Sequence, residues 1–303
     1  AHSAAIGYYV KTGARDEPSP LMGVSHFLEH MIFKGTATRT AAEVDRDFDD
    51  LGAHHNAFTS SEMTAFYAHV LPEHLGAAQS ILADIMRPAL RPEDFDAEKK
   101  VILEEIAMYD DYPFFLLYER ALEAYFGSHR LSHRVLGTND TITGMARDDM
   151  ASYFQHHYSA DNTSVVMAGR LDFDAMVERI GRECADWPRT GVGRTQDPFT
   201  LTPGEFAQTS DRINAHYLLM MLPAPPVQDD RRYAASLLGR ILGDADGSRL
   251  YWALVETGLA EEAVAQYDGH DGLGVTLVYC SCGPEQAAEV ERIARAELSR
   301  CIE

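Results

Sequence analysis

The chain has 303 residues, 46% of them hydrophobic, which is enough to bury the cores of two domains and too apolar for a disordered chain. A formal net charge of −21 argues against nucleic acid as a partner, since phosphate binding needs a positive surface, and favours encounter with cationic ligands. No run approaches the roughly eighteen apolar residues of a membrane-crossing helix, and the opening AHSAAIGYYV lacks the basic start and cleavage pattern of a signal peptide.

In chain order, AAIGYYVKTG reads as a strand ending in a turn at Gly13, and since a domain seldom starts so abruptly on a strand, the expectation is a cut N-terminus. GVSHFLEHMIFKG reads as a buried helix stopped at Gly35. His26 and His30 lie one turn apart on one face and Glu29 flanks it, so the three side chains converge. AAEVDRDFDDLG is an amphipathic helix closed by Gly52, and AHHNAFTSSEMTAFYAHVL gives two strands around a polar turn at Ser60–Glu62. Helices then cover EHLGAAQSILADIMR, PEDFDAEKKVILEEIAMYDD, FFLLYERALEAYF and RDDMASYFQHHY; the strand TSVVMAG and the helix DFDAMVERIGRECADW follow.

Residues 188–204, with three glycines, three prolines and no hydrophobic periodicity, divide the chain into a domain over 1–190, a linker over 191–204 and a second domain over 205–303. The second carries strand INAHYLLMML, helices RRYAASLLGRIL and SRLYWALVETG, strand GVTLVYCSC and a last helix, EQAAEVERIARAELSRCI. That order repeats the first domain in shortened form, and the expected class is α+β, two homologous domains each with helices packed on a mostly antiparallel sheet. Cys184, Cys280, Cys282 and Cys301 form no C-x-x-C pair and read as thiols of a reducing compartment.

Two histidines and a carboxylate form a common catalytic zinc set, leaving one position for water, so His26 and His30 call for a third ligand. The helix DAEKKVILEEIAMYDD offers Glu98, Glu104 and Glu105. Glu98 and Glu105, two turns apart, share a face with Val101 and Ile102, while Glu104 points to solvent. A carboxylate on a core-facing stripe is costly unless paired or metal-bound, which favours Glu105 as ligand and leaves Glu98 to orient a histidine or the water. The competing reading is a pair of glutamates solvated on the outer face.

HFLEH followed 75 positions after His30 by Glu105 in EKKVILEE resembles the pitrilysin/insulinase (M16) family of zinc metallopeptidases, and most closely its processing-peptidase-like branch. TGARDEP, LGAHHNAFTSSEMTAFYAHVL, SHRLSHRVLGT and GSRLYWALVETGLA extend the resemblance over nearly the whole chain. It implies one Zn²⁺ per chain held by His26, His30 and Glu105, Glu29 as catalytic base, Glu98 as the second acid of the ligand helix, and hydrolysis of extended, unfolded peptides that add as a strand along Asn56, Ala57 and Phe58. The acidic composition favours basic peptides. His54 and His55 read as strand-surface residues rather than ligands.

The resemblance also implies a homodimer or a heterodimer with a related chain, in the cytoplasm or, in a eukaryote, the mitochondrial matrix. Members of this branch are longer, so a first strand and the end of the second domain are expected outside this sequence. Where relatives carry an arginine and a tyrosine that hold the substrate carbonyl, this chain has Val255 and Glu261 or Glu262. The rival expectation is a structural subunit without catalysis, or a zinc-bearing chain active only beside a partner.

Overall fold

A computed structural model describes residues 2–201, 203–209, 211 and 213–301. The chain folds into two compact units, residues 1–108 with 133–195 and residues 109–132 with 196–303. The class is the expected α+β, and every strand pairing among the described residues is antiparallel.

Unit one is built on a four-stranded sheet in the order β2-β3-β1-β4, made of β1 (Ala4–Val10), β2 (His54–Thr59), β3 (Thr64–Val70) and β4 (Thr163–Gly169). Ala4, Ile6, Tyr8 and Val10 alternate along β1 and are buried, so the period of two puts them on the core face. Tyr8 sits opposite Phe66 on one side and Val165 on the other. Among the described residues β2 has one neighbour, β3, and so lies at the sheet edge.

Helices α1 (Val24–Ile32), α2 (Ala41–Asp50), α3 (Leu75–Ile85), α4 (Pro92–Asp110), α6 (Asn139–Gly144), α7 (Arg147–His157) and α8 (Phe173–Glu183) complete this unit, apart from the last two residues of α4. Their apolar residues join the buried face of β1 in one core. A Thr40/Glu43 capping box starts α2, and Pro92 opens α4, where a missing N–H costs nothing. Helix α1 ends at Ile32 and the chain turns at Gly35, whose φ of +103° favours glycine.

Unit two contains α5 (Pro113–Phe126) and the sheet β5-β7-β6, formed by β5 (His216–Ala224), β6 (Glu262–His270) and β7 (Leu273–Cys282), with α9 (Arg231–Gly243) and α10 (Ala287–Arg300). Leu242, Leu254, Ala263, Ala265, Val278, Cys280, Cys282, Val290 and Ala294 share its core. Gly243 lies so close to β6 that a Cβ there would stand 2.1 Å from the Ala265 nitrogen.

Two expectations need correction here. SRLYWALVETG is helical only over 249–255, as a π-type stretch from Tyr251 to Val255, and gives way to a turn over 256–258. The strand β6 was not expected at all. It pairs with β7 across Asp271-Gly272, with Gly272 at φ +83°. No helix of the described residues is long and apolar enough to cross a membrane.

Candidate metal centre

Helix α1 carries the site because its other residues fix it. Val24, Phe27, Leu28, Met31 and Ile32 are buried, and Phe27 stacks on Phe95 of α4 at 4.7 Å with ring planes 14° apart. That contact sets α4 against α1. Phe95, Ile102 and Ile106 form the buried stripe of α4, and Glu98, only 5% exposed, lies among them. Val101, expected on the glutamate face, is instead 45% exposed, and Glu104 points to solvent as expected.

The start of α1 is held by a residue that spacing did not single out. Glu17 is buried; its Oε2 accepts from the Gly23 amide and its Oε1 from the Ser25 amide, each at 2.7 Å, so one carboxyl satisfies two donors that a helix N-terminus leaves open. Gly23 has φ +95°, and a Cβ there would lie 2.6 Å from the Leu136 carbonyl.

His26 Nε2 is 3.8 Å and His30 Nε2 3.6 Å from Glu105 Oε2, and the two rings meet edge-on with centroids 4.7 Å apart. The three side chains offer ligand atoms within 4.8 Å of one another. Ligands about 2.0–2.1 Å from a tetrahedral ion stand about 3.3 Å apart, so small rotations would close these side chains on one ion. Burial, with His30 alongside, pushes the His26 imidazole down to about 3, which leaves it neutral, the form that ligates. Its Nδ1 is buried and has no hydrogen-bond partner among the described residues. The donor set, two imidazoles and a carboxylate, with His26 neutral, fits Zn²⁺.

Around this cluster the ring of His30 is oriented by Glu98, whose Oε1 is 2.8 Å from His30 Nδ1; Lys34 Nζ is 2.6 Å from the other oxygen of Glu98. Burial pushes the Glu98 carboxyl up, but the hydrogen bonds from His30 and Lys34 outweigh it and hold the group below the usual carboxylate range. Glu105 is raised by burial and by Glu98, against His30. Glu29 is also raised, chiefly by burial; His30 and Glu105 are both close enough to act on it electrostatically. Thr59 Oγ1 donates to Glu29 Oε2 at 2.6 Å.

Thr59 ends the edge strand β2, which passes the site with Asn56 and Phe58 exposed and Ala57 half-buried against the core. The Ala57 amide donates to Asn56 Oδ1 at 2.8 Å. His54 is exposed, and His55 stacks on Phe48 at 4.1 Å. Lys34 and Thr59 were not singled out by their spacing, although both lie inside the stretches GVSHFLEHMIFKG and AHHNAFTSSEMTAFYAHVL.

The model of the insulinase family, peptidase family M16, matches residues 1–139, and that of the peptidase M16 inactive domain matches residues 144–303. The chain belongs to peptidase family M16. Among M16 relatives, an uncharacterized zinc protease of Mycobacterium leprae is 35% identical over 96% of this chain and 67% of its own length. Another, from Bacillus subtilis, is 30% identical over 98% of this chain and 73% of its own. Of solved structures, a Helicobacter pylori protease superposes with a TM-score of 0.86 at 20% identity, covering 99% of this chain and 78% of its own. Pitrilysin gives a TM-score of 0.77 at 19% identity, with 99% of this chain and 33% of its own covered. These two share the fold.

Proposed function

We propose that this M16 chain is a zinc-dependent endopeptidase that holds one Zn²⁺ through His26, His30 and Glu105 and uses Glu29 as general base. The observation that carries the reading is the approach of both Nε2 atoms to one Glu105 oxygen, with Glu98 on the far nitrogen of His30. The zinc-protease names of the M. leprae and B. subtilis relatives support it.

A bound zinc ion would acidify water and polarise the scissile carbonyl. Glu29 takes the proton of the attacking water and delivers it to the leaving amine; its raised pKa and its position beside the cluster suit both halves of that task. Glu98 keeps His30 in the tautomer that presents Nε2. The substrate adds as an extended strand beside β2, with backbone pairing along Asn56, Ala57 and Phe58. Such addition requires the Asn56 side chain to release the Ala57 amide wherever the incoming strand claims it. The charge of −21 favours basic peptides.

The family resemblance bears on a partner-dependent form of this reading: it sets Val255 and Glu261 or Glu262 where an arginine and a tyrosine would supply transition-state donors, so those donors would come from elsewhere in this chain or from a partner subunit. The purified protein, assayed alone against an unstructured peptide library with and without chelator and with zinc restored, tests all of this. Chelator-sensitive cleavage supports the endopeptidase reading. Bound zinc without cleavage favours the partner-dependent form, and absence of bound zinc overturns both. Matched lysine-rich and glutamate-rich peptides at two salt concentrations test the charge preference, which no difference or no salt effect would remove.

A further inference from the structure

Residues 188–204 carry no hydrophobic periodicity, yet their first part is laid firmly onto unit one. The Thr190 and Gly191 amides donate to the Asp161 carboxylate at 3.2 and 3.0 Å, and Thr190 Oγ1 donates to the His156 carbonyl at 2.8 Å. Arg194 follows, its side chain 4% exposed, and it makes a two-pronged contact with Asp16: Nε to Oδ1 at 2.8 Å and Nη2 to Oδ2 at 2.7 Å. The same Nη2 donates to the Glu62 carbonyl at 2.6 Å, and Nη1 lies 3.6 Å from the Glu62 carboxylate.

Both partners of Arg194 lead to the metal site. Asp16 belongs to the segment 13–17, where the Ala14 and Arg15 amides donate to the carbonyls of Ser60 and Ser61 at 3.2 and 2.7 Å, Arg15 Nη1 reaches Glu62 at 2.5 Å, and Glu17 caps α1. Glu62 lies in the β2–β3 turn. Thr59, the last residue before that turn, is the one that holds Glu29. We infer that Arg194 is a positioning residue for the peptidase site, clamping the β2–β3 turn to the segment that caps α1 so that Thr59 and the edge strand keep their aim. Buried ion networks contribute little net stability compared with apolar packing of equal size, and what a guanidinium fork adds is fixed geometry. Lysine cannot supply that fork, so charge alone does not replace it.

The inference rests on the endopeptidase reading for its kinetic part and on amide exchange for its structural part. Arg194→Lys and Arg194→Gln are compared with the full chain in the zinc-loaded state. Expected are unchanged zinc content, a kcat/KM on extended peptides lower by about ten- to a hundredfold, and faster exchange of amides 54–64 while those of α1 and α4 stay protected. Combined with Thr59→Val, the loss should be smaller than the product of the separate losses, because both act through one contact. Unchanged exchange over 54–64, or losses that multiply, would overturn the inference. Should the Gln variant lose protection throughout, the Lys variant decides. If the wild type holds zinc but cleaves nothing alone, the partner-dependent form of the reading is favoured, and the exchange measurement by itself judges Arg194.

Discussion

His30 and Glu98 are joined by a 2.8 Å contact between Nδ1 and Oε1, and Lys34 closes on the other oxygen of the same carboxylate. The pair leaves His30 Nε2 as the nitrogen that faces Glu105. Removing the carboxylate frees the ring to rotate and to change tautomer. Glu98→Ala is therefore expected to weaken zinc binding by about 10–100-fold without unfolding the chain, read by competition against a chelator of known affinity. Wild-type affinity would show that the contact does not orient the ring.

Glu105 differs from Glu104 by one position and by which way it faces. Glu105→Ala should lose bound zinc by elemental analysis while Glu104→Ala keeps it. A ligand that binds the folded state alone adds stability by mass action. Chelator should consequently lower the melting temperature of wild type and of Glu104→Ala but leave that of Glu105→Ala unmoved. An equal chelator response in all three would place the metal elsewhere.

Glu29→Gln keeps the shape of the side chain and removes its basicity. Zinc content and melting temperature should match wild type while kcat falls by about 10²–10⁴-fold. Retained turnover would assign the proton transfer to another group.

Much of this site was legible because α1 and α4 each carry a conflict that the helical period exposes: polar residues where the stripe should be apolar. His26, His30, Glu98 and Glu105 stand out for that reason. Thr59 and Lys34 did not, since a threonine at a strand end and a lysine at a helix end are ordinary there, and only the tertiary contact gives them a partner. The sheet of unit two was half legible. In EAVAQYDGHDGLG, Ala263 and Ala265 alternate with longer side chains on β6, but alanine is a weak strand former and hides the period. The Asp271-Gly272 pair before a clear strand was the usable signal for that hairpin.

Glu17 shows how a short loop can govern a helix. One carboxyl accepts from both the Gly23 and Ser25 amides, and a glutamine offers a single acceptor oxygen for the two. Burial pushes that carboxyl up to about 8, so both oxygens accept as a carboxylate only above that pH, and there Glu17→Gln is expected to cost about 1–3 kcal/mol, measured as a lower urea midpoint with an unchanged m value. A midpoint equal to wild type would mean that the second amide finds another partner.

His157 gives the fold a dependence on pH. Its ring stacks on Tyr153 at 4.2 Å, and its Nδ1 lies 3.4 Å from Thr12 Oγ1. Burial pushes the imidazole down from its ordinary 6.5 to about 4; His156 adds to the shift and Asp16 opposes it. Between those two values the unfolded chain binds a proton that the folded chain does not, so folding is disfavoured progressively as pH falls from 6.5 towards 4, and this contribution is fully present above 6.5. His26 acts with the same sign, which makes the informative quantity a difference between variants. His157→Phe keeps an aromatic ring for the stack and removes the titration. Its melting temperature should fall less steeply than that of wild type over this pH range, and parallel curves would mean that His157 takes up its proton in the folded chain as readily as in the unfolded one.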